Sequence, residues 1–343
     1  MNARKVIIDC DPGIDDALAL MLALKSKEID VLGITTVSGN VDAYKGAENA
    51  LKILKKMNRE DIPVYIGEEK PLKRDYIDAT DTHGTDGLGE TELSLGEQVG
   101  LHKDAAGFIR DTLEIQAYSG EKVSIIALGP LTNIAKVVKD YPEALSGLDE
   151  FVSMGGTFKS HGNCSPVAEY NYWCDPDSAK IVYEAFSEKK DLQDKLVHMV
   201  GLDVTRKIVL TPNILEYMKD LNEDLGSLIE GITRFYFNFH WKQEEVIGCV
   251  INDPLAVAYF YDRSLCEGRP FYTTITTEGE SIGESIVDEY DFWKKPKNSF
   301  VLEKTKPFAF FSLFIEKVFD CKKEEIEPIL KQIMTPGDSE NEK

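Results

Sequence analysis

The sequence predicts an α/β protein, a single domain over residues 1–334 with an open, mostly parallel central sheet and helices on both faces. Three observations point there. Apolar strand-like runs alternate with helix-like segments along most of the chain, the pattern of strands joined by helical crossovers. The first run, VII at residues 6–8, is β-branched with no polar alternation, as a strand buried on both faces requires. No Pro/Gly-rich linker divides the 343 residues, which suffice to bury one large core.

The elements follow in order. Pro12 and Gly13 break the first run, and the Ala-, Leu- and Met-rich stretch after them predicts a helix over about 15–25. A second strand covers 30–39, an amphipathic helix 42–57 and a short third strand 62–67. The acidic, Gly-rich segment 78–97 lacks periodicity and reads as a functional loop. A helix at 104–118, a strand at 122–128, a helix at 131–141 and a strand at 150–156 continue the alternation, before a second irregular loop at 157–171. DPDS at 175–178 opens a helix running to 186, and a strand covers 195–205. An aromatic-rich helix lies within 230–250, Pro254 takes a favoured first helical position, and a last helix ends near Phe319. Residues 335–343, TPGDSENEK, read as a disordered tail.

A net charge of −21 argues against nucleic acid or an anionic membrane as partner, since both call for basic surface. The N-terminus MNARKVIIDCD reaches an acid before any signal-peptide core could form, and no apolar run is long enough to span a bilayer. The six cysteines are scattered without a CxxC pair and read as reduced thiols, so a cytoplasmic protein is expected.

The stretch VIIDCDPGIDDALALMLA, residues 6–23, sets Asp9, Asp11, Asp15 and Asp16 on the strand's C-terminal end, the turn and the helix's first turn. In open α/β sheets that edge is where ligands bind. Two like charges ~4 Å apart repel by about 4 kcal/mol at an effective dielectric of 20. Three such pairs would cost about as much as a domain's whole stability of roughly 5–15 kcal/mol. The acids are therefore protonated, or point apart, or surround a cation. A helix N-terminus suits Asp15 and Asp16 but cannot balance four carboxylates, which favours the cation. All-oxygen donors suit calcium, magnesium or manganese rather than zinc. Asn40, the LGPLTN of 128–133 and the GGTFKSHGN of 155–163 would reach the same edge. Asp253 taken alone is a helix N-cap; it becomes a candidate metal ligand as the member that completes the carboxylate set.

DCDPGIDDALAL, GPLTNIA, SMGG, GN…AEYN and NDPLAVAY, in this order from Val6 to near Phe319, closely resemble the inosine–uridine-preferring nucleoside hydrolase family. The resemblance implies the nucleoside hydrolase fold with its Rossmann-like core, hydrolysis of a ribonucleoside to free base and ribose, one bound calcium ion, and a homodimer or homotetramer. It implies that Asp11, Asp16 and Asp253 give calcium their carboxylates and Leu128 its backbone carbonyl. Asp11 would also be general base for a calcium-bound water. Asp15 and Asn40 would hold the ribose hydroxyls, and Asn163, Glu169 and Asn171 the 5′ end and lower face of the sugar. Met154 would line the ribose site, and Asp9 would support the metal ligands from behind. Such residues suit an oxocarbenium-like transition state, and chelation of vicinal hydroxyls predicts discrimination against 2′-deoxynucleosides.

The pattern departs at Asn252, where the family's well-studied members carry a histidine that helps protonate the leaving base. Asparagine donates hydrogen bonds but delivers no proton. His83, in DTHGTDG, occupies a loop position where the family often has a histidine near the ribose. His240 and Tyr236, one turn apart in RFYFNFHWKQ, are expected to approach the departing base, while Phe235, Phe237 and Phe239 read as packing residues. His102, His161 and His198 read as structural, and Cys249 and Trp241 carry no assigned role, though either could shape the base pocket. An alternative keeps the calcium and ribose sites but allows little turnover, a nucleoside- or ribose-binding protein; Asp11 favours the enzyme. Haloacid-dehalogenase-type phosphatases share a DxD at the first strand, but the two further acids and the lack of basic residues nearby disfavour them. The preferred base is not legible.

Overall fold

The computed structural model describes residues 3–95, 100–192 and 194–334, so the expected tail lies outside the described residues. The strands are β1 (Arg4–Cys10), β2 (Ile29–Thr36), β3 (Val64–Ile66), β4 (Leu101–Lys103), β5 (Val123–Ala127), β6 (Leu148–Met154) and β7 (Val197–Val200), then β8 (Val209–Leu210), β9 (Cys249–Val250), β10 (Cys266–Phe271), β11 (Thr273–Ile275), β12 (Ser285–Val287) and β13 (Ser299–Thr305). Nine form one sheet in the order β10-β13-β7-β6-β5-β1-β2-β3-β4. Every pair in it is parallel except β10 with β13, as the predicted α/β class requires. β8 pairs with β9 and β11 with β12 as separate antiparallel ribbons.

The chain runs outward from β1 through β2, β3 and β4, then returns to place β5 on β1's other side. That reversal opens a crevice at the C-terminal ends of β1 and β5, the usual ligand position of such sheets. The period-two alternation of β1 feeds two cores: Val6 and Ile8 join one face, Ile7 the other.

The helices are α1 (Ile14–Lys25), α2 (Ala43–Lys56), α3 (Thr80–His83), α4 (Ala105–Tyr118), α5 (Thr132–Asp140), α6 (Tyr170–Cys174) and α7 (Pro176–Glu188), followed by α8 (Leu202–Thr205), α9 (Pro212–Leu221), α10 (Glu223–Glu244), α11 (Asp253–Tyr261), α12 (Pro307–Phe319) and α13 (Lys323–Ile333). α4, α5 and α7 cover one face; α1, α2 and α9–α13 build the other. α1 is buried from Ile14 to Leu24, with no solvent face, and packs on α2, α10, α11 and α12. None of the described helices is long and apolar enough to cross a membrane. All six cysteines are free.

Four local differences from the sequence expectation have physical causes. The strand expected over 195–205 stops at Val200, because Leu202 N–H bonds across to the Gly156 carbonyl and Thr205 N–H to that of Gly201, winding α8. The helix expected within 230–250 begins at Glu223, capped by the Asn222 side chain, and ends where Glu245 turns left-handed at φ 56°, freeing 249–250 for β9. The loop at 78–97 contains the single turn α3. Pro254 is the second residue of α11, not the first.

Candidate active site

β1 and the turn after it deliver Asp9 and Asp11, and the first turn of α1 delivers Asp15 and Asp16, all buried. Asp11 is closely walled. A Cβ on Gly39 would stand 2.0 Å from its Oδ2, and one on Gly129 2.5 Å from its Oδ1, so only glycine fits at either position. Oδ2 accepts the Asn40 N–H at 2.7 Å, while Oδ1 is buried without a partner. Asp16 Oδ2 accepts the Gly13 N–H and the Asn40 amide, both at 3.0 Å, and its Oδ1 accepts the Asp11 N–H at 3.3 Å. α11, packed against α1, supplies Asp253. Asn252, not Asp253, occupies the N-cap position of α11, and Asp253 is its first residue, so the N-cap role that Asp253 would have had alone does not apply.

One carboxylate oxygen each from Asp15, Asp16 and Asp253 lie within 4.8 Å of one another. The tightest trio thus contains Asp15 where Asp11 was expected; Asp11 is joined to it through its hydrogen bond to Asp16. Burial, reinforced by the Asp15 charge, lifts the Asp16 carboxyl to about 7. Burial also lifts Asp11 and Asp253 well above the usual range, with the neighbouring aspartates adding to it. Asp9 is raised to about 7 by burial; its Oδ1 accepts from Thr35 Oγ1 and, at 2.8 Å, from Asn133 Nδ2. Crowded oxygen donors, an orphaned Asp11 Oδ1 and raised carboxyls fit a hard divalent cation.

A cavity of about 370 Å³ opens above this cluster. Asp15, Asn40, His83, Leu128, Met154, Asn163, Glu169, Asn171, Tyr236, His240, Asn252 and Asp253 all line it, whereas Asp9, Asp11 and Asp16 lie behind its wall. On the side of the expected ribose, Glu169 caps α6: its carboxylate accepts the N–H of Gly156 (2.9 Å), Asn171 (2.9 Å) and Tyr172 (3.2 Å), and burial lifts it to about 7. Asn171 Nδ2 donates to the carbonyls of Leu128 (2.7 Å) and Met154 (3.1 Å). The exposed Asn163 accepts the Tyr170 N–H at 2.9 Å.

α3 and α10 form the opposite wall. His83 Nδ1 accepts the Ile14 N–H at 3.0 Å, which leaves its proton on Nε2, and burial lowers its pKa. His240 Nδ1 donates to the Tyr236 carbonyl at 3.0 Å, its ring edge-on to Tyr236 with centroids 4.4 Å apart; burial lowers its pKa too. Asn252 donates both its N–H and its amide to Asp15 Oδ2, each at 3.1 Å, and reaches the Tyr236 hydroxyl at 3.4 Å. Its Oδ1 is buried and unpartnered.

Tyr170, Arg206, Phe239, Gln243 and Glu244 also line the cavity, and sequence reasoning missed them. Phe235, Phe237 and Phe239 all pack on the core as expected, and Phe239 also lines the cavity. The signal existed: 236, 239, 240 and 243 follow the one-face spacing of a helix. Tyr170 Oη donates to the Gly39 and Ile77 carbonyls at 2.9 and 3.0 Å. Arg206 bonds the Gly162 carbonyl (3.0 Å), Glu244 (3.3 Å) and the His161 ring, contacts no motif announces. His198 is a satisfied structural residue, bonded to the Tyr259 hydroxyl at 3.0 Å and lowered to about 4 by burial. His102 stacks on Tyr65. Neither the buried Cys249 nor Trp241, 56% exposed, lines the cavity.

Residues 6–312 match the sequence profile of the family described as "Inosine-uridine preferring nucleoside hydrolase". A pyrimidine-specific ribonucleoside hydrolase from Photobacterium profundum is 32% identical over 321 residues, 92% of this chain and 99% of that protein. Among solved structures, a plant nucleoside hydrolase superposes with a TM-score of 0.84 at 29% identity, covering 93% of this chain and 99% of that one. A purine-preferring ribonucleoside hydrolase from Gardnerella vaginalis gives 0.83 at 30% identity, covering 92% and 98%.

Proposed function

The chain belongs to the inosine–uridine preferring nucleoside hydrolase family, enzymes that hydrolyse N-glycosyl bonds of ribonucleosides, and from that premise we propose that its buried aspartates hold calcium and that Asp11 activates the attacking water. The observation that carries this is the fully buried, unpartnered Asp11 Oδ1 beside the trio Asp15, Asp16 and Asp253. Asp11, Asp16, Asp253 and the Leu128 carbonyl would hold the ion. Calcium held there would neutralise these oxygens and supply a more acidic, positioned water and a Lewis-acid contact for the ribose diol.

Asp11 accepts the water's proton through Oδ1 while the Asn40 N–H fixes Oδ2. Asp9 supports the ligands from behind. Asp15 and Asn40 hold the ribose hydroxyls; Asn163, Glu169 and Asn171 hold the 5′ end and lower face, beside Met154. As the C1′–N bond breaks, positive charge spreads over the ribose, and the surrounding carboxylates stabilise it. Tyr236, His240 and Asn252 meet the departing base, with His83 beside them.

The pyrimidine-specific and purine-preferring relatives are similarly distant from this chain, at 32% and 30% identity, so overall likeness does not set the base. The wall of α3 and α10 is where that choice falls. The acidic charge of −21 supports a small-molecule substrate without nucleic acid or membrane partner. The family resemblance supports a homodimer or homotetramer, and the scattered free cysteines a cytoplasmic location.

The test is base release from inosine, adenosine, guanosine, uridine and cytidine, with and without a chelator. Chelator-sensitive turnover abolished by Asp11→Asn supports the proposal. Nucleoside binding without base release replaces it with a binding protein.

A further inference from the structure

On the premise that this site hydrolyses ribonucleosides, we propose that its preferred substrates are cationic N-ribosides, nucleosides whose heterocycle carries a positive charge at the glycosylated ring and departs neutral. An ordinary purine or pyrimidine leaves as an anion and must be given a proton. The wall that meets the base offers no strong donor. Asn252 has none to give. His83 is locked neutral, because its Nδ1 accepts the Ile14 N–H and therefore carries no proton itself. His240 commits its Nδ1 proton to the Tyr236 carbonyl, and burial keeps its other nitrogen an acceptor. The Tyr236 hydroxyl faces the Asn252 amide at 3.4 Å.

The charge of this wall points the same way. Asp78, Asp81 and Glu244 lie on the lead-in to α3, on α3 and on α10, and the one basic side chain lining the cavity among the described residues, Arg206, is paired with Glu244. Arg206 offsets Glu244, which leaves Asp78 and Asp81, on the α3 side of the cavity, as the remaining acids of this wall. Inside them, Asn252 Oδ1 is an acceptor without a partner on a residue 9% exposed. The rings of Tyr236 and Phe239, with centroids 6.4 Å apart, add π faces that attract a cation.

The step balances. The electron pair of the C1′–N bond passes to the ring nitrogen and cancels its charge. The water's oxygen bonds C1′ and its proton goes to Asp11. The products are ribose, a neutral heterocycle and one released proton.

The experiment compares kcat/KM within two pairs, 7-methyladenosine against adenosine and 1-ribosylpyridinium-3-carboxamide against uridine, after subtraction of uncatalysed hydrolysis. The cation should exceed its neutral partner by roughly 10²-fold or more, the size of the missing acid catalysis. Only the cations should lose rate as salt is raised to about 0.5 M. Asp81→Asn should lower the cation-to-neutral ratio roughly two- to fivefold by removing an attracting charge. Asn252→His should narrow the ratio by restoring a donor. An advantage in one pair alone assigns the class to N7-alkylpurines or to pyridinium ribosides. Neutral nucleosides hydrolysed as fast as their cationic partners overturn this inference and leave the hydrolase standing. So does a ratio insensitive to salt and to both substitutions. Hydrolysis of none of the four compounds overturns both.

Discussion

Removing divalent cations and then raising the pH should make this protein melt at a lower temperature. Burial lifts Asp9 and Asp16 from the usual 3.8 to about 7. Between those values the folded chain binds more protons than the unfolded one, so stability falls as pH rises. The penalty is absent below about pH 4 and complete above about pH 7. Between pH 5.5 and 7.5 each carboxyl costs about 2 kcal/mol at roughly 1.36 kcal/mol per pH unit; Glu169, also held at about 7, adds about 2, while His198, held at about 4, returns about 1, for a net of about 5 kcal/mol. Unfolding entropy of about 2.1 cal/mol/K per residue over 343 residues turns that into a fall in Tm of about 7 °C. Calcium should shrink the fall, because it binds the ionised cluster and displaces its protons. Thermal unfolding followed by circular dichroism at pH 5.5, 6.5 and 7.5, with chelator and with calcium, measures this directly. A chelated protein whose Tm stays flat or rises across that range would refute the buried-carboxylate argument.

Other consequences are as specific. Asp11→Asn should cut kcat by about 10²–10⁴-fold with far less change in KM, since it removes a proton acceptor rather than a binding group. Gly129→Ala, whose methyl would sit 2.5 Å from Asp11 Oδ1, should lower kcat and cost about 1–3 kcal/mol of stability; wild-type kinetics would show that Asp11 has room to move. A 2′-deoxynucleoside should be a poorer substrate than its ribonucleoside by about 10²-fold or more in kcat/KM, and comparable values would remove the 2′-hydroxyl from the binding scheme. His240→Ala should change kcat, because the ring packs edge-on against Tyr236 at the base wall; unchanged kcat on every accepted nucleoside takes His240 out of the mechanism.

The parts of the site carried by short sequence stretches were legible. Asp9 to Asp16 span one strand end and one helix start, so local rules place them on the sheet's ligand edge. Asn252 and Asp253 were found through their motif, but their approach to Asp15 and Asp16 depends on α11 packing against α1 across more than two hundred residues. Arg206 and Tyr170 were invisible because their partners are backbone carbonyls and side chains on distant segments, which leave no pattern in sequence. The early end of β7 had the same origin, a long-range bond from Leu202 to Gly156 overriding a strand-like run. The antiparallel β10–β13 edge was not anticipated, since pairing direction at a sheet margin has no local signature.

Helix α1 has no solvent face, and much of its cover comes from α10, α11 and α12. During synthesis it therefore emerges long before the segments that shield it. At roughly 5–20 residues per second, about 15 seconds to a minute pass between Lys25 and Phe319 leaving the ribosome. For that interval an apolar segment without its own sheath invites association with other nascent chains. Asp15 and Asp16, still hydrated and charged, flank it as gatekeepers do. The carboxylates that end as a crowded buried cluster thus begin as the solubilising end of the helix they will later anchor.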